Sequence, residues 1–237
     1  MKVLFVIGAS SDLGSELIQK NVGRYDFVWA HYFHWNEKLE NIKSIYGDKI
    51  SFICADLSHE NEIKEMIELI KTDGRIPNQI VHFPMTKLMI KKFAKSSWKE
   101  YEDALNVTLR SAVMISQSFL PYMKKCKYGK LLFVLSSVTS GIPPKYESSY
   151  VTVKYALLGL MKSLAVEYGD SGICINGISP DMIQTKFISD VPELLVASYS
   201  QTRPGGKILS VEEIIPVIDF ILSDGADKLN GENICVG

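Results

Sequence analysis

The stretch VLFVIGASSDLGSELI, residues 3–18, decides the fold. Its opening VLFVI is an unbroken apolar run of strand length, which predicts a strand buried on both faces. Helical text follows from Leu13 to about Val22, and Gly8 and Gly14 bracket the turn between the two. Gly8 allows a sharp turn and Gly14 lets a helix lie close to the sheet. The free N–H groups at the helix start can then hold a pyrophosphate, with Ser10 and Ser11 adding hydroxyl donors. Asp12 stands where a third glycine would be expected. A carboxylate aimed at a phosphate repels it, so Asp12 is expected to turn away and cap the helix.

The same alternation of apolar and amphipathic runs continues along the chain. Strands are expected at 27–32, 50–55, 79–83, 130–135, 172–178 and in ENICV (232–236). Helices are expected near 37–45, 60–71, 98–123, 148–168 and 211–222. Apolar strands separated by helices imply a parallel sheet covered on both faces. Right-handed crossovers make it a doubly wound, Rossmann-like α/β fold of about seven strands, read as a single domain over residues 1–237. The region from about 180 to 209 lacks clear periodicity and holds Pro180, Pro192, Pro204, Gly205 and Gly206. It is either a lid, drawn at about 183–209, or a surface excursion.

The 237 residues carry a net charge of -1, with 46% hydrophobic and 22% charged residues. That balance is ordinary for a globular protein and gives no nucleic-acid or anionic-membrane footprint. Cys54, Cys126, Cys174 and Cys235 are scattered without a CxxC pair, so they are expected as buried free thiols in a reducing compartment and not as metal ligands. The apolar N-terminal run is too short for a leader and no run is long enough to cross a bilayer, which places the chain in the cytoplasm.

In a doubly wound sheet, ligands bind beyond the carboxyl ends of the strands. The second strand ends in His31, Tyr32, Phe33 and His34, without the acidic residue that favours NAD. This points to NADP, with His34 or Lys38 beside the extra phosphate; the alternative is two solvent-facing histidines. Asp56, after the third strand, can bond an adenine amino group or cap the helix near His59. Tyr150 and Lys154 lie four apart on an otherwise apolar helix, behind the β-branched run Val151, Thr152 and Val153. Ser136 and Ser137 close the fifth strand, and Asn106 interrupts the apolar face of the long helix. In this group Tyr150 exchanges the proton and Lys154 is expected to lower the phenol's pKa. Ser137 bonds the substrate oxygen, and Asn106 holds a water that links Lys154 to solvent.

With these residues in view, the chain resembles the short-chain dehydrogenase/reductases over essentially its whole length. GASSDLG resembles their TGxxxGIG turn, YVTVK their YxxxK, and INGISPDMIQT their segment ending in PGxxxT; Ser137 precedes Tyr150 by thirteen positions. The resemblance implies catalysis by Asn106, Ser137, Tyr150 and Lys154. It implies that Ile183 and Thr185 meet a nicotinamide, and it adds Leu13, Tyr32, Leu57 and Pro180 to the cofactor set. HFPM (82–85) replaces the family's NNAG, and Asp181 replaces the glycine of PG. The 3-oxoacyl-carrier-protein reductase branch is closest in flavour. It implies NADPH-dependent reduction of a small or carrier-bound carbonyl by a homotetramer or homodimer. An NAD-dependent alcohol or sugar dehydrogenase and a silent nucleotide-binding scaffold are the alternatives.

Overall fold

The computed structural model describes residues 1–237, apart from the side chain of Pro204. In chain order it contains β1 (Val3–Ile7), α1 (Asp12–Asn21), β2 (Phe27–Tyr32), α2 (Glu37–Tyr46), β3 (Ile50–Cys54), α3 (Glu60–Asp73) and β4 (Gln79–His82). Then follow α4 (Trp98–Ala104), a π-helical turn (Leu105–Arg110), α5 (Ser111–Cys126), β5 (Gly129–Val134), α6 (Ser148–Tyr168) and β6 (Ile173–Pro180). The chain closes with α7 (Glu193–Gln201), α8 (Val211–Leu222) and β7 (Asn233–Val236).

The seven strands form one sheet in the order β3-β2-β1-β4-β5-β6-β7, and every pair is parallel. The order reverses between β1 and β4, so a cleft opens there beyond the strands' carboxyl ends. Alternate residues of β1 feed two cores. Phe5 and Ile7 join Trp29, Phe119, Leu157 and Met161 under α3, α5 and α6. Leu4 and Val6 join Leu17, Ile18, Leu39 and Ile218 under α1, α2 and α8. Each such fully buried side chain contributes about 1.5–3 kcal/mol.

Packing explains how α6 survives its β-branched start. Val153, Leu157, Met161 and Ala165, four apart, are all buried against the sheet, which overrides the local propensity. The helix expected at 98–123 forms with an interruption: residues Leu105–Arg110 open into a π turn. Side chains divert its carbonyls, for Ser111 Oγ donates to Val107 O at 2.6 Å. Within 180–209 the structure contains α7, whose weak amphipathic pattern hid it from the sequence reading.

The cysteine expectation is corrected. All four thiols are free, but Cys54, Cys126 and Cys235 are exposed and Cys174 is half-buried. Cys54 and Cys235 lie on the edge strands β3 and β7, where apolar text does not guarantee burial. No helix among the described residues is long and apolar enough to cross a membrane.

Candidate active site

The turn after β1 is built around its glycines. Gly8 has φ +87°, a conformation that side chains rarely adopt. A Cβ on Gly14 would sit 2.4 Å from Gly8 O, so only glycine lets α1 start this close to the strand. Ser11 is spent within the turn: its hydroxyl donates to Gly8 O at 2.7 Å and accepts from Gly14 N at 3.0 Å. It is therefore Ser11, not Asp12, that caps α1, which corrects the capping expectation. Asp12 does turn away from the turn. Its carboxylate meets Lys38 Nζ at 2.7 Å and accepts from Lys186 N at 2.7 Å. Together these contacts outweigh its partial burial and hold its pKa below the usual value. With this charge paired and turned aside, the start of α1 suits an anion. Half-buried Ser10 lies at the mouth of the turn, and Leu13 is buried beneath it.

At the next strand ends the two histidines part company. His34 is exposed, its ring 4.1 Å from that of Phe33. His31 is buried, which corrects the solvent-facing alternative for that residue. Its Nδ1 accepts from Gly8 N at 3.1 Å, so its Nε2–H points to Ala55 O at 3.0 Å. Burial lowers its pKa to about 4, so it is neutral and braces the glycine turn. Tyr32 is half-buried, its ring packed edge-on 5.0 Å from that of Trp35. Lys38 is engaged by Asp12, which leaves His34 as the uncommitted basic side chain of this corner. Asp56 does not cap α3; its Oδ1 accepts from Ser58 N at 2.8 Å. Leu57 is buried and can offer a ligand only its backbone.

Tyr150 and Lys154 share one face of α6 at the cleft. The Lys154 ammonium lies 5.6 Å from the centre of the Tyr150 ring and donates to Val134 O at 2.7 Å, beyond β4 and β5. Burial lowers the Lys154 pKa to about 7. The expectation that Lys154 lowers the phenol's pKa is corrected, because burial pushes Tyr150 up to about 12 against the counter-effect of the neighbouring Ser136 hydroxyl. The lysine sits over the ring face and not at the hydroxyl, so desolvation dominates. Ser136 lies beside Tyr150, a proximity that its place in the sequence next to Ser137 does not reveal. Ser137 itself neighbours the Tyr199 hydroxyl. Asn106 is half-buried on the π turn, which packs against α6. Such turns interrupt helices mostly at functional sites.

HFPM crosses the cleft floor. Thr108 Oγ1 on the π turn donates to Pro84 O at 3.1 Å, and the Met85 sulfur lies 3.4 Å away. His82 is buried, and its Nε2 lies 2.9 Å from Ser111 Oγ. On the opposite wall Pro180 ends β6, Ile183 pairs with Leu209, and Thr185 Oγ1 donates to Ile183 O at 3.4 Å. Outside Tyr150 the Phe187 ring stands 5.9 Å away. From there a groove of about 390 Å³ runs between Leu88, Met89 and Ile90 on one side and Val191 and Pro192 on the other. The Lys87–Asp190 ion pair, 2.8 Å, lies at this groove.

The comparisons agree with this architecture. A family model described as Enoyl-(Acyl carrier protein) reductase matches residues 27–237. The chain is 28% identical over 240 residues to the 3-oxoacyl-[acyl-carrier-protein] reductase of Buchnera aphidicola, covering 99% of this chain and 95% of that relative. Among solved structures, 4-hydroxyisoleucine dehydrogenase complexed with NADH matches with a TM-score of 0.90 at 21% identity, over 100% of this chain and 97% of that one. ElxO with NADP bound matches with a TM-score of 0.87 at 21% identity, over 99% and 96%. At that identity the two structures share the fold.

Proposed function

The chain belongs to the short-chain dehydrogenase/reductase family of NAD(P)-dependent oxidoreductases, and from that premise we propose that it reduces a β-keto thioester, or a similar ketone, with NADPH. The observation that carries the reading is the placement of Tyr150 and Lys154 on one face of α6, with Lys154 anchored on Val134 O and the Phe187 ring leading from Tyr150 towards the groove. A phenol is protonated at neutral pH and can serve there as the proton donor.

The turn at Gly8 and Gly14 suits a pyrophosphate, for its glycines bring the start of α1 close to the strand and its one carboxylate is turned aside. Gly8, Ser10, Ser11, Leu13 and Gly14 would hold that part of the dinucleotide. Tyr32, His34, Asp56 and Leu57 would hold the adenosine end; Tyr150, Lys154, Pro180, Ile183 and Thr185 would hold the nicotinamide end. The bound nicotinamide supplies a hydride. Ser137 donates a hydrogen bond to the substrate oxygen, and Tyr150 gives that oxygen its proton as the C=O bond becomes an alcohol. Lys154, anchored on Val134 O, holds the nicotinamide end beside Tyr150, and Asn106 holds the solvent that returns the proton. The groove beside Phe187 takes the rest of the substrate, and residues 183–209 act as its lid. NADP is favoured because no carboxylate stands at the end of β2, in His31–His34; relatives of this kind also lead us to expect two or four copies in the assembly.

Steady-state turnover of an acetoacetyl thioester, a keto sugar and a ketosteroid with each dinucleotide tests the proposal. The thioester with NADPH is expected to react fastest. Failure of every ketone to oxidise NADPH would sink the reductase reading.

A further inference from the structure

The Tyr199 hydroxyl sits at a meeting point of donors. Its proton goes to Asp181 Oδ1 at 2.6 Å, and its oxygen accepts from Arg203 NH2 at 2.5 Å. The Ser137 side chain lies beside the same hydroxyl. Asp181 fixes the arrangement: its other oxygen pairs with Arg203 NH1 at 2.6 Å, and its side chain is only 8% exposed. Arg203 Nε is buried and has no acceptor among the described residues. Arg203 thus donates to an oxygen beside Ser137, and the phenol supplying it rides on α7, outside the sheet.

We propose that the Tyr199 oxygen marks a subsite, made by Arg203 beside Ser137, which a second oxygen of the substrate takes when Tyr199 withdraws. The inference rests on the reductase reading and deepens it. The subsite suits a ketone bearing a second oxygen close by, as a β-keto thioester does, because Ser137 and Arg203 are separate donors on one side of the cleft. A monoketone can engage one of them and leaves the other without a partner, at a cost. Asp181, at the position where the family has glycine, holds Arg203 in place in the empty site.

The test compares kinetics with NADPH on an acetoacetyl thioester and on a plain monoketone. Tyr199→Phe removes the competing oxygen and should lower KM for the thioester by about threefold or more, with kcat/KM rising accordingly. Adding Arg203→Met to that variant should raise the thioester KM again by about tenfold while moving the monoketone KM much less. An unchanged or higher KM in Tyr199→Phe, or equal effects of Arg203→Met on both ketones, overturns the proposal. If the wild-type enzyme turns over neither ketone, the reductase reading fails. The subsite is then read by hydrogen exchange of residues 193–203 in the NADPH-loaded protein, with and without acetoacetate. Acetoacetate should accelerate exchange there by displacing Tyr199, and not in Ser137→Ala; exchange unaffected by acetoacetate overturns the subsite.

Discussion

Tyr150 and Lys154 divide the proton work in an unequal way. The phenol is pushed up to about 12 and the ammonium down to about 7, both by burial. A protonated acid serves reduction at any neutral pH, whereas oxidation of the alcohol needs the phenolate, so the reverse rate should climb with pH relative to the forward rate. Initial rates in both directions from pH 6 to 10 check this; parallel profiles would contradict it. Tyr150→Phe should lower kcat for reduction by about 10²–10⁴ while dinucleotide binding, read by fluorescence titration, persists. At the adenosine corner His34 is exposed and Lys38 is already paired with Asp12. His34→Asp should therefore lower the preference for NADPH over NADH by about tenfold, a difference of about 1.4 kcal/mol, in kcat/KM ratios.

The π turn is the element on which several parts of the site lean. It carries Asn106, and through Thr108 it holds the Pro84 carbonyl of the HFPM segment. Thr108→Val keeps the shape but leaves that carbonyl without its donor. It should cost about 1–2 kcal/mol in urea unfolding and loosen the floor of the dinucleotide cleft. The sequence could not show this element. Its apolar spacing over 98–123 is that of an ordinary helix, and the interruption depends on contacts with distant Pro84 and on Ser111 bonding Val107. The strands, in contrast, were legible because VLFVI, FVWAHY and KLLFV are apolar enough to be buried on both faces. Gly8, Gly14, Tyr150 and Lys154 were legible from chemistry at fixed spacing. His31 and Tyr199 were not, since a side chain's partners across the fold leave no local pattern.

For the molecule as a whole, the buried histidines link stability to pH. Burial holds His31 at about 4 and His82 at about 3, against about 6.5 in the unfolded chain. The unfolded state binds more protons between those values, so stability rises with pH across this window. Their contribution is complete above about 6.5 and is lost as pH falls through 4 and then 3. Unfolding between pH 6 and 4.5 should take up about two protons from this pair, and His82→Asn should cut the uptake to about one. Urea midpoints across that range provide the measurement, and an unchanged slope in the variant would contradict the assignment.

The close approach of α1 to the first strand has a practical consequence for anyone reshaping the nucleotide preference. In a library randomised at positions 8, 10, 11, 14 and 34 and selected for growth on a new coenzyme, every survivor should keep glycine at 14. Change should concentrate at codons 10 and 34, so evolvability in this pocket is confined to its rim.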